Sequence, residues 1–507
     1  LEILAFNIFG VSEYAARFFP AVMGIFTSLF TYISLRTLKD RKTGFIAAIS
    51  VACAPLYFVL THYANMDGEV GSWLTCSALA LLVGANLPEN TTKRTVFLYL
   101  AYIFGAAAFL TKGLIGLVFP AGMIFFWMLF LNRWDQILKL KLIAGLILVV
   151  ILIMPWMILC NEQNPGFISY FFIWNQFDRF LGNDFNMHQP WYFYIGPVIA
   201  SIFPFTLFWI QALKKNIKDI ITDKHKSNIE LFCLIWLVMI TIFFSIPESK
   251  LIGYISSAIP GTAIFMALYF AKIWDNNLSR ANIISSWIVV AIYIILSIGL
   301  VILLFVSDNP GVQASAPYIW ILSISLIFSA ITYAYILLHR PIIKYIYFCL
   351  IVPTIIILLC IMADLKNFTL QYNWPIAAKV EQVLKKYPNA KIYMYGQFYY
   401  AIPMYLGREI PTVSNWNKLK LEDLGDNWQR EIYIGLKNPK ELPSTLMIYP
   451  EFKNIWESNT NSPIIVIIDN DSMKSFNKLI SHNYHILGTV PHRSAIILGN
   501  DNIIINN

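Results

Sequence analysis

Charge is what this 507-residue chain has least of. Asp, Glu, Lys and Arg make up 13% of it and hydrophobic residues 58%, whereas a soluble globular chain is about one quarter charged and about 45–50% apolar. A single packed core cannot bury that much apolar surface, so lipid must be the solvent for most of it. The six cysteines (Cys53, Cys76, Cys160, Cys233, Cys349, Cys360) all lie inside apolar runs. None forms a CxxC pair or falls in the polar tail, so they are small buried hydrophobes rather than a disulfide framework. The polar tail beyond about residue 364 contains no Gly-rich phosphate loop and no metal-ligand cluster. The chain starts at Leu1 rather than Met and shows no basic n-region, so a further N-terminal piece is expected ahead of it. The net charge of +8 would suit nucleic acid, but its distribution argues against that partner.

What the chain does have is long apolar runs, and a membrane span needs about 20 mostly apolar residues. Candidates fall near 18–35, 44–61, 69–86, 95–111, 113–131 and 141–160, then near 191–211, 229–246, 251–272, 282–306, 318–337 and 343–362. Alternate loops between them carry Arg36/Lys39/Arg41/Lys42, Lys93/Arg94, Arg133/Lys139/Lys141, Lys214/Lys215/Lys218/Lys224/Lys226, Lys272/Arg280 and Arg340/Lys344. Those eighteen cations face only Arg17, Lys112, Arg179 and Lys250 on the opposite set. Cytoplasmic loops are the Lys/Arg-rich ones, so the first set faces the cytoplasm.

From about residue 364 the chain turns polar, and strand-like runs (KIYMYG, PIIVIID, SAIILG) alternate with helical stretches such as PIAAKVEQVLKKY. That alternation predicts a small α/β domain. The expected organisation is therefore a polytopic α-helical membrane domain over 1–363, with about 12 spans, and a soluble extracytoplasmic α/β domain over 364–507. The latter's expected role is to cover or shape the membrane site.

The chemistry is expected on the outward face, because an ionisable residue at membrane depth is costly and marks a site by default. Snorkelling to the interface is the competing account of each outward cation. In the loop THYANMDGEV, residues 61–70, Asp67 and Glu69 stand at the boundary with His62 nearby. A carboxylate there could act as general base or orient a hydroxyl; alternatively Asp67 caps the helix that follows. In FFSIPESKLIGYISSAIP, residues 243–260, Lys250 opens a span where its charge and the helix amides would both favour an anion. The loop 161–190, with YFFIWNQFDRF and then NMHQPWYFY, is dense in aromatics and should lie along the interface as an amphipathic helix. It would carry Arg179 toward Lys250, and His188 is either a ligand or base or an interfacial polar residue.

Together these segments resemble bacterial membrane glycosyltransferases of the protein O-mannosyltransferase and lipid A aminoarabinose transferase family. FFSIPESKLIGYISSAIP is similar to a family motif SxxKSKLPTYxLPxxP, with Ile252 and Gly253 in place of Pro-Thr. FGVSEYAARFFPAVMG, THYANMDGEVGSWLT, FLTKGLIGLVFP and YFFIWNQFDRF with HQPWYFY resemble further family segments in order, over roughly residues 5–270. The resemblance implies a C-type glycosyltransferase fold in the bacterial inner membrane, about thirteen spans in all, and an outward C-terminal domain. A first span, a catalytic acidic residue and a Lys-Pro-Pro segment would then precede Leu1.

It further implies transfer of a sugar from a polyprenyl-phosphate donor to a lipid A-type glycolipid or protein acceptor. Asp67 would position or deprotonate the acceptor, while Lys250, Arg179 and Lys112 would meet the donor phosphate. Tyr254, Glu69, His62 and His188 would contact substrate. No cofactor is required, a divalent metal is left open, and the bilayer is the remaining partner. A secondary transporter would show an internal repeat and mid-membrane polar residues, and a non-catalytic lipid-binding protein would show no turnover with lipid-linked sugar.

Overall fold

The computed structural model describes residues 2–173, 188–368, 373–419, 427–434, 443–458, 462–480, 484–490 and 495–503. The chain divides into two compact units: Leu1–Ala5, Tyr14–Ser307 and Ala316–Ala363 form the first, and Phe6–Glu13, Asp308–Ser315 and Asp364–Asn507 the second.

The first unit is helical. Among the described residues nine helices are long and apolar enough to cross a membrane, and up to eleven if two bent pairs each count as one span. The run at 44–61 is one such pair, α2 (Arg41–Ala52) and α3 (Pro55–Thr61), bent by 66°. Pro55 opens α3 and cannot donate into the preceding turn, so the helix breaks there. The run at 191–211 belongs to the second pair: α8 (Ile195–Ser201) is followed by Phe205–Thr222, bent by 106°. Pro204 interrupts it, and α9 (Trp209–Thr222) beyond the bend has a polar and an apolar face instead of an apolar circumference. The run at 113–131 forms α6 (Ile115–Leu131), a helix of 17 residues.

Two segments are central. In α4 (Met66–Asn86) and in Ile252–Lys272, 89% and 94% of the apolar window is buried, against 22–28% for the peripheral Leu142–Gln163, Arg280–Val306 and Ala316–His339. Composition explains the difference. The outer spans are Ile- and Leu-rich, whereas α4 carries Gly68, Gly71, Ser72, Ser77, Ala78, Ala80 and Gly84. Small residues let helices approach closely where lipid supplies no hydrophobic drive for association. Hydroxyls tie the contacts together: Tyr57 to Ser72 at 2.7 Å, Ser77 to the Ala101 carbonyl at 2.8 Å, and Tyr347 to Ser50 at 2.9 Å.

The second unit is built on a six-stranded sheet of order β3-β2-β1-β4-β6-β5. Its strands are β1 (Lys391–Tyr395), β2 (Thr412–Ser414), β3 (Leu446–Ile448), β4 (Ile464–Asp469), β5 (Tyr484–Val490) and β6 (Ala495–Asn500). The first four are parallel, with Lys391 opposite Ile464 and Tyr395 opposite Ile468, and β6 and β5 add antiparallel. Strand alternation sends Ile392, Met394, Ile465 and Ile467 to one face, under Ile376, Val380 and Leu384 of the helix Trp374–Lys386. Tyr393, Tyr395, Val466 and Ile468 face Phe452, Trp456 and Phe476 on the other. A strand buried on both faces reads as an unbroken apolar run, which is why IIVII lacks alternation.

Candidate active site

The residues of the site come from three helix ends in the first unit. Asn65, not Asp67, caps α4: its Oδ1 accepts from the Gly68 amide at 3.0 Å. Asp67 is thus relieved of the capping role, and its carboxylate turns to the Lys112 ammonium, with which it forms a close ion pair. Lys112 is the last residue of α5 (Thr92–Lys112). A carboxylate at a helix N-terminus and an ammonium at a helix C-terminus each sit where the helix dipole favours them. Both side chains keep a fifth to a quarter of their surface exposed, 20% for Asp67 and 26% for Lys112. The same ammonium lies 4.5 Å from the centre of the Tyr254 ring, a cation–π contact.

The third component is the segment 251–258. The Ser256 hydroxyl donates to the Asp67 carbonyl at 3.0 Å, joining it to the first turn of α4. Gly253 packs directly on the Asp67 carboxylate: a Cβ placed there would overlap Oδ2. The departure of Gly253 from the family's Pro-Thr is therefore a space requirement of Asp67 in this chain. Glu69, two residues on, points elsewhere, since residues at i and i+2 do not share a helix face. Its Oε1 is buried with no hydrogen-bond partner among the described residues.

Lys250 is buried, and its ammonium donates to the carbonyls of Gln189, at 2.8 Å, and Pro247. Desolvation holds it below the usual lysine range, partly offset by the Glu248 carboxylate. These bonds belong to a clasp between 188–194 and 247–251. Gln189 N donates to Glu248 O at 3.1 Å, His188 pairs with Ser249 as an isolated bridge, and His188 Nδ1 lies 3.3 Å from the Glu248 carboxylate. Tyr194 closes it by donating its hydroxyl to Leu251 O at 3.0 Å. Tyr194 is fully buried. Nothing in the aromatic-rich loop sequence distinguished Tyr194 from its neighbours.

His62 lies apart from the ion pair. Its Nδ1 donates to Phe58 O at 2.8 Å and its ring stacks on Phe58 with centroids 4.1 Å apart. It lines a crevice of about 330 Å³ with Gly24, Ile25, Ser28, Ile49 and Tyr57, mostly apolar in lining. Arg179 lies outside the described residues. The structure thus unites Asp67, Lys112 and Tyr254, places Lys250 and His188 in the adjoining clasp, and leaves His62 on the crevice. Among the described residues no group of three or more His, Cys, Asp or Glu could hold a metal ion.

A helical membrane unit of this build, with an acid–base pair at helix ends and a sheet-bearing C-terminal unit, has the fold of the C-type membrane glycosyltransferases. The chain superposes on ArnT from Cupriavidus metallidurans bound to undecaprenyl phosphate with a TM-score of 0.79, at 17% identity, covering 98% of this chain and 86% of that one. The family model for dolichyl-phosphate-mannose-protein mannosyltransferase matches residues 1–171. The undecaprenyl phosphate-α-4-amino-4-deoxy-L-arabinose arabinosyl transferase of Enterobacter sp. (strain 638) is 26% identical over 267 residues, 52% of this chain and 47% of that protein. An uncharacterized protein of Aquifex aeolicus is 29% identical over 291 residues, 57% of this chain and 55% of the other. The chain spans about half the length of the curated relatives it matches. The resemblance to membrane glycosyltransferases seen in the segment order is borne out on all three counts, and the chain is an integral membrane protein.

Proposed function

We propose that this chain is a glycosyltransferase that moves a sugar from a polyprenyl-phosphate-linked donor to a lipid A-type glycolipid or protein acceptor. We place the reaction on the outer face of the bacterial inner membrane, with the C-terminal unit on the periplasmic side. The observation that carries the proposal is the Asp67–Lys112–Tyr254 constellation at one end of the bundle. In the reaction an acceptor hydroxyl forms a bond to the anomeric carbon while the bond from that carbon to the phosphate oxygen breaks. The hydroxyl proton must leave, and negative charge gathers on the departing polyprenyl phosphate.

Asp67 stands at the membrane boundary to orient the acceptor and take that proton. Lys112 lies between this carboxylate and the Tyr254 ring, where it meets the leaving phosphate. Positive groups fixed where charge develops are worth more in a partly dry site than in water. Lys250 spends two of its three N–H donors on carbonyls, which fixes the ammonium and leaves the third for the same phosphate, with Arg179 assisting. Glu69, with its buried oxygen lacking a partner, takes a sugar hydroxyl, as do Tyr254 and His188. The apolar crevice ending at His62 suits an isoprenoid chain.

Purified full-length protein supplied with undecaprenyl-phosphate-linked aminoarabinose and lipid A should yield modified lipid A, read by mass spectrometry. Asp67→Asn should abolish the product while leaving folded protein. Wild-type turnover by Asp67→Asn, or none by the parent with any lipid-linked sugar, would remove the proposal.

A further inference from the structure

The opposite end of the bundle holds a second pocket. It is about 460 Å³, within the range of small-molecule sites, about 300–1,000 Å³. Its walls are the polar face of α9 and the turn that follows α11 (Ile259–Lys272) and leads into α12 (Arg280–Val306). From α9 come Lys214, Lys215 and Lys218, and from the turn come Asn276, Asn277 and Ser279. Ser279 caps α12, accepting from the Asn282 amide at 3.3 Å. Three lysines, two amides and the start of a long helix all favour an anion.

Lys215 is partly neutralised by Asp219 at 3.1 Å. Among the described residues Lys214 and Lys218 have no carboxylate within the 4.0 Å of an ion pair, and both are exposed. The remaining acid beside the pocket is already engaged: Asp275 approaches Lys42 and Lys344. The pocket therefore presents two uncompensated cations.

The rest of α9 says which anion. Ile210 and Ile221 are 62% and 79% exposed, and eleven residues apart they fall on one stripe, three turns along the helix. Lys214 is one turn from Ile210 and Lys218 two, beside that stripe. Exposed isoleucines beside lysines on a helix bent by 106° from its predecessor describe an element lying in the interface, apolar stripe in the acyl layer and lysines at phosphate depth. We propose that this pocket binds the phosphate headgroup of an anionic phospholipid from the leaflet on the lysine-rich side, distinct from any donor lipid at the Asp67 end. Basic pockets between spans on the cytoplasmic side are suited to such headgroups.

The test is lipid retention by the full chain purified in detergent, titrated with phosphatidylglycerol or with phosphatidylcholine of the same acyl length and read by native mass spectrometry. Phosphatidylglycerol should be retained preferentially. Each lysine near anionic lipid is worth about five-fold in affinity, so Lys214→Gln with Lys218→Gln should weaken retention on the order of 20-fold. The conservative pair Lys214→Arg with Lys218→Arg should restore it. Lys224→Gln with Lys226→Gln, exposed but outside the pocket, should change nothing. Millimolar inorganic phosphate should not displace the lipid. Equal losses in the two glutamine pairs would mean diffuse surface attraction and overturn the site. Displacement by inorganic phosphate, or no preference for the anionic lipid, would overturn it as well.

Discussion

Asp67 is constrained from three sides: Asn65 takes its capping role, Lys112 pairs with its carboxylate and Gly253 leaves the space it fills. That predicts a ranking. Asp67→Asn should abolish transfer and Glu69→Gln should be milder, in assays normalised to folded protein; a reversed ranking would move the acidic role to Glu69. Gly253→Ala should act like a partial Asp67 variant, because its new Cβ must displace the carboxylate. We expect a fall of at least ten-fold in kcat with little change in thermal stability, and unchanged kcat would dissolve the packing argument. Lys250 predicts a pH effect. Burial lowers its proton affinity, so the ammonium is charged at low pH and loses its charge as pH rises, sooner than an ordinary lysine. Donor KM should therefore climb on the alkaline side, and Lys250→Arg should push that limb to higher pH because guanidinium stays charged. Lys250→Ala should cut transfer by about 30- to 1000-fold, the usual range for a lost contact in such a site, about 2–4 kcal/mol. An alkaline limb identical in the arginine variant would place some other group behind it.

Elements were more legible than their joints. Hydropathy located every apolar segment, because lipid demands a continuous apolar circumference and says nothing of neighbours. It does not show that 44–61 and 191–211 are bent pairs, since a hydropathy average is blind to the breaks at Pro55 and Pro204. Three strands, β1, β4 and β6, were equally plain in KIYMYG, PIIVIID and SAIILG, while β2, β3 and β5 were not. Of the candidate site the sequence offered residues but no pairs: Asp67 and Lys112 meet across 45 positions, a contact that only the packing of α4 on α5 creates. The lysine-rich end illustrates the same limit. Lys272 looked like one more cytoplasmic cation, yet it bonds Asp219 at 2.7 Å and Glu230 at 3.1 Å, and Glu230 is almost wholly buried. Removing one partner of a buried pair costs about 3–5 kcal/mol, and the partial exposure of Lys272 puts it at or below the lower end. Lys272→Ala should therefore lower the thermal midpoint measurably, while Lys224→Ala should not. Equal midpoints would mean Glu230 finds another partner.

At the scale of the molecule, function turns on sidedness. Contacts show that Asp67, Lys112, Ser256 and Tyr194 gather at one end of the helical unit, and Arg94, Lys139, Lys272 and Glu230 belong to clusters at loops of the opposite set. Eighteen cations in those loops, against four in the opposite set of loops, are the ground for expecting that second end in the cytoplasm. The twelve apolar runs after residue 17 then lead us to expect residue 364 on the side where the chain starts. Single cysteines, labelled with a charged, membrane-impermeant maleimide, test this directly in a background with the native six replaced by alanine, since Cys160 and Cys349 are only partly buried. Lys474→Cys, exposed in the C-terminal unit, should label in intact cells whose outer membrane has been made permeable. Lys224→Cys, exposed in the basic loop, should label only after the inner membrane is opened. Both substitutions remove surface charge without touching a packed side chain, so labelling reports location and not unfolding. The reverse pattern would put the Asp67 end in the cytoplasm, where the lipid-linked donor would have to be presented on the other leaflet. Equal labelling of both would mean an even number of crossings between residues 224 and 474, where the runs from 229–246 to 343–362 supply five.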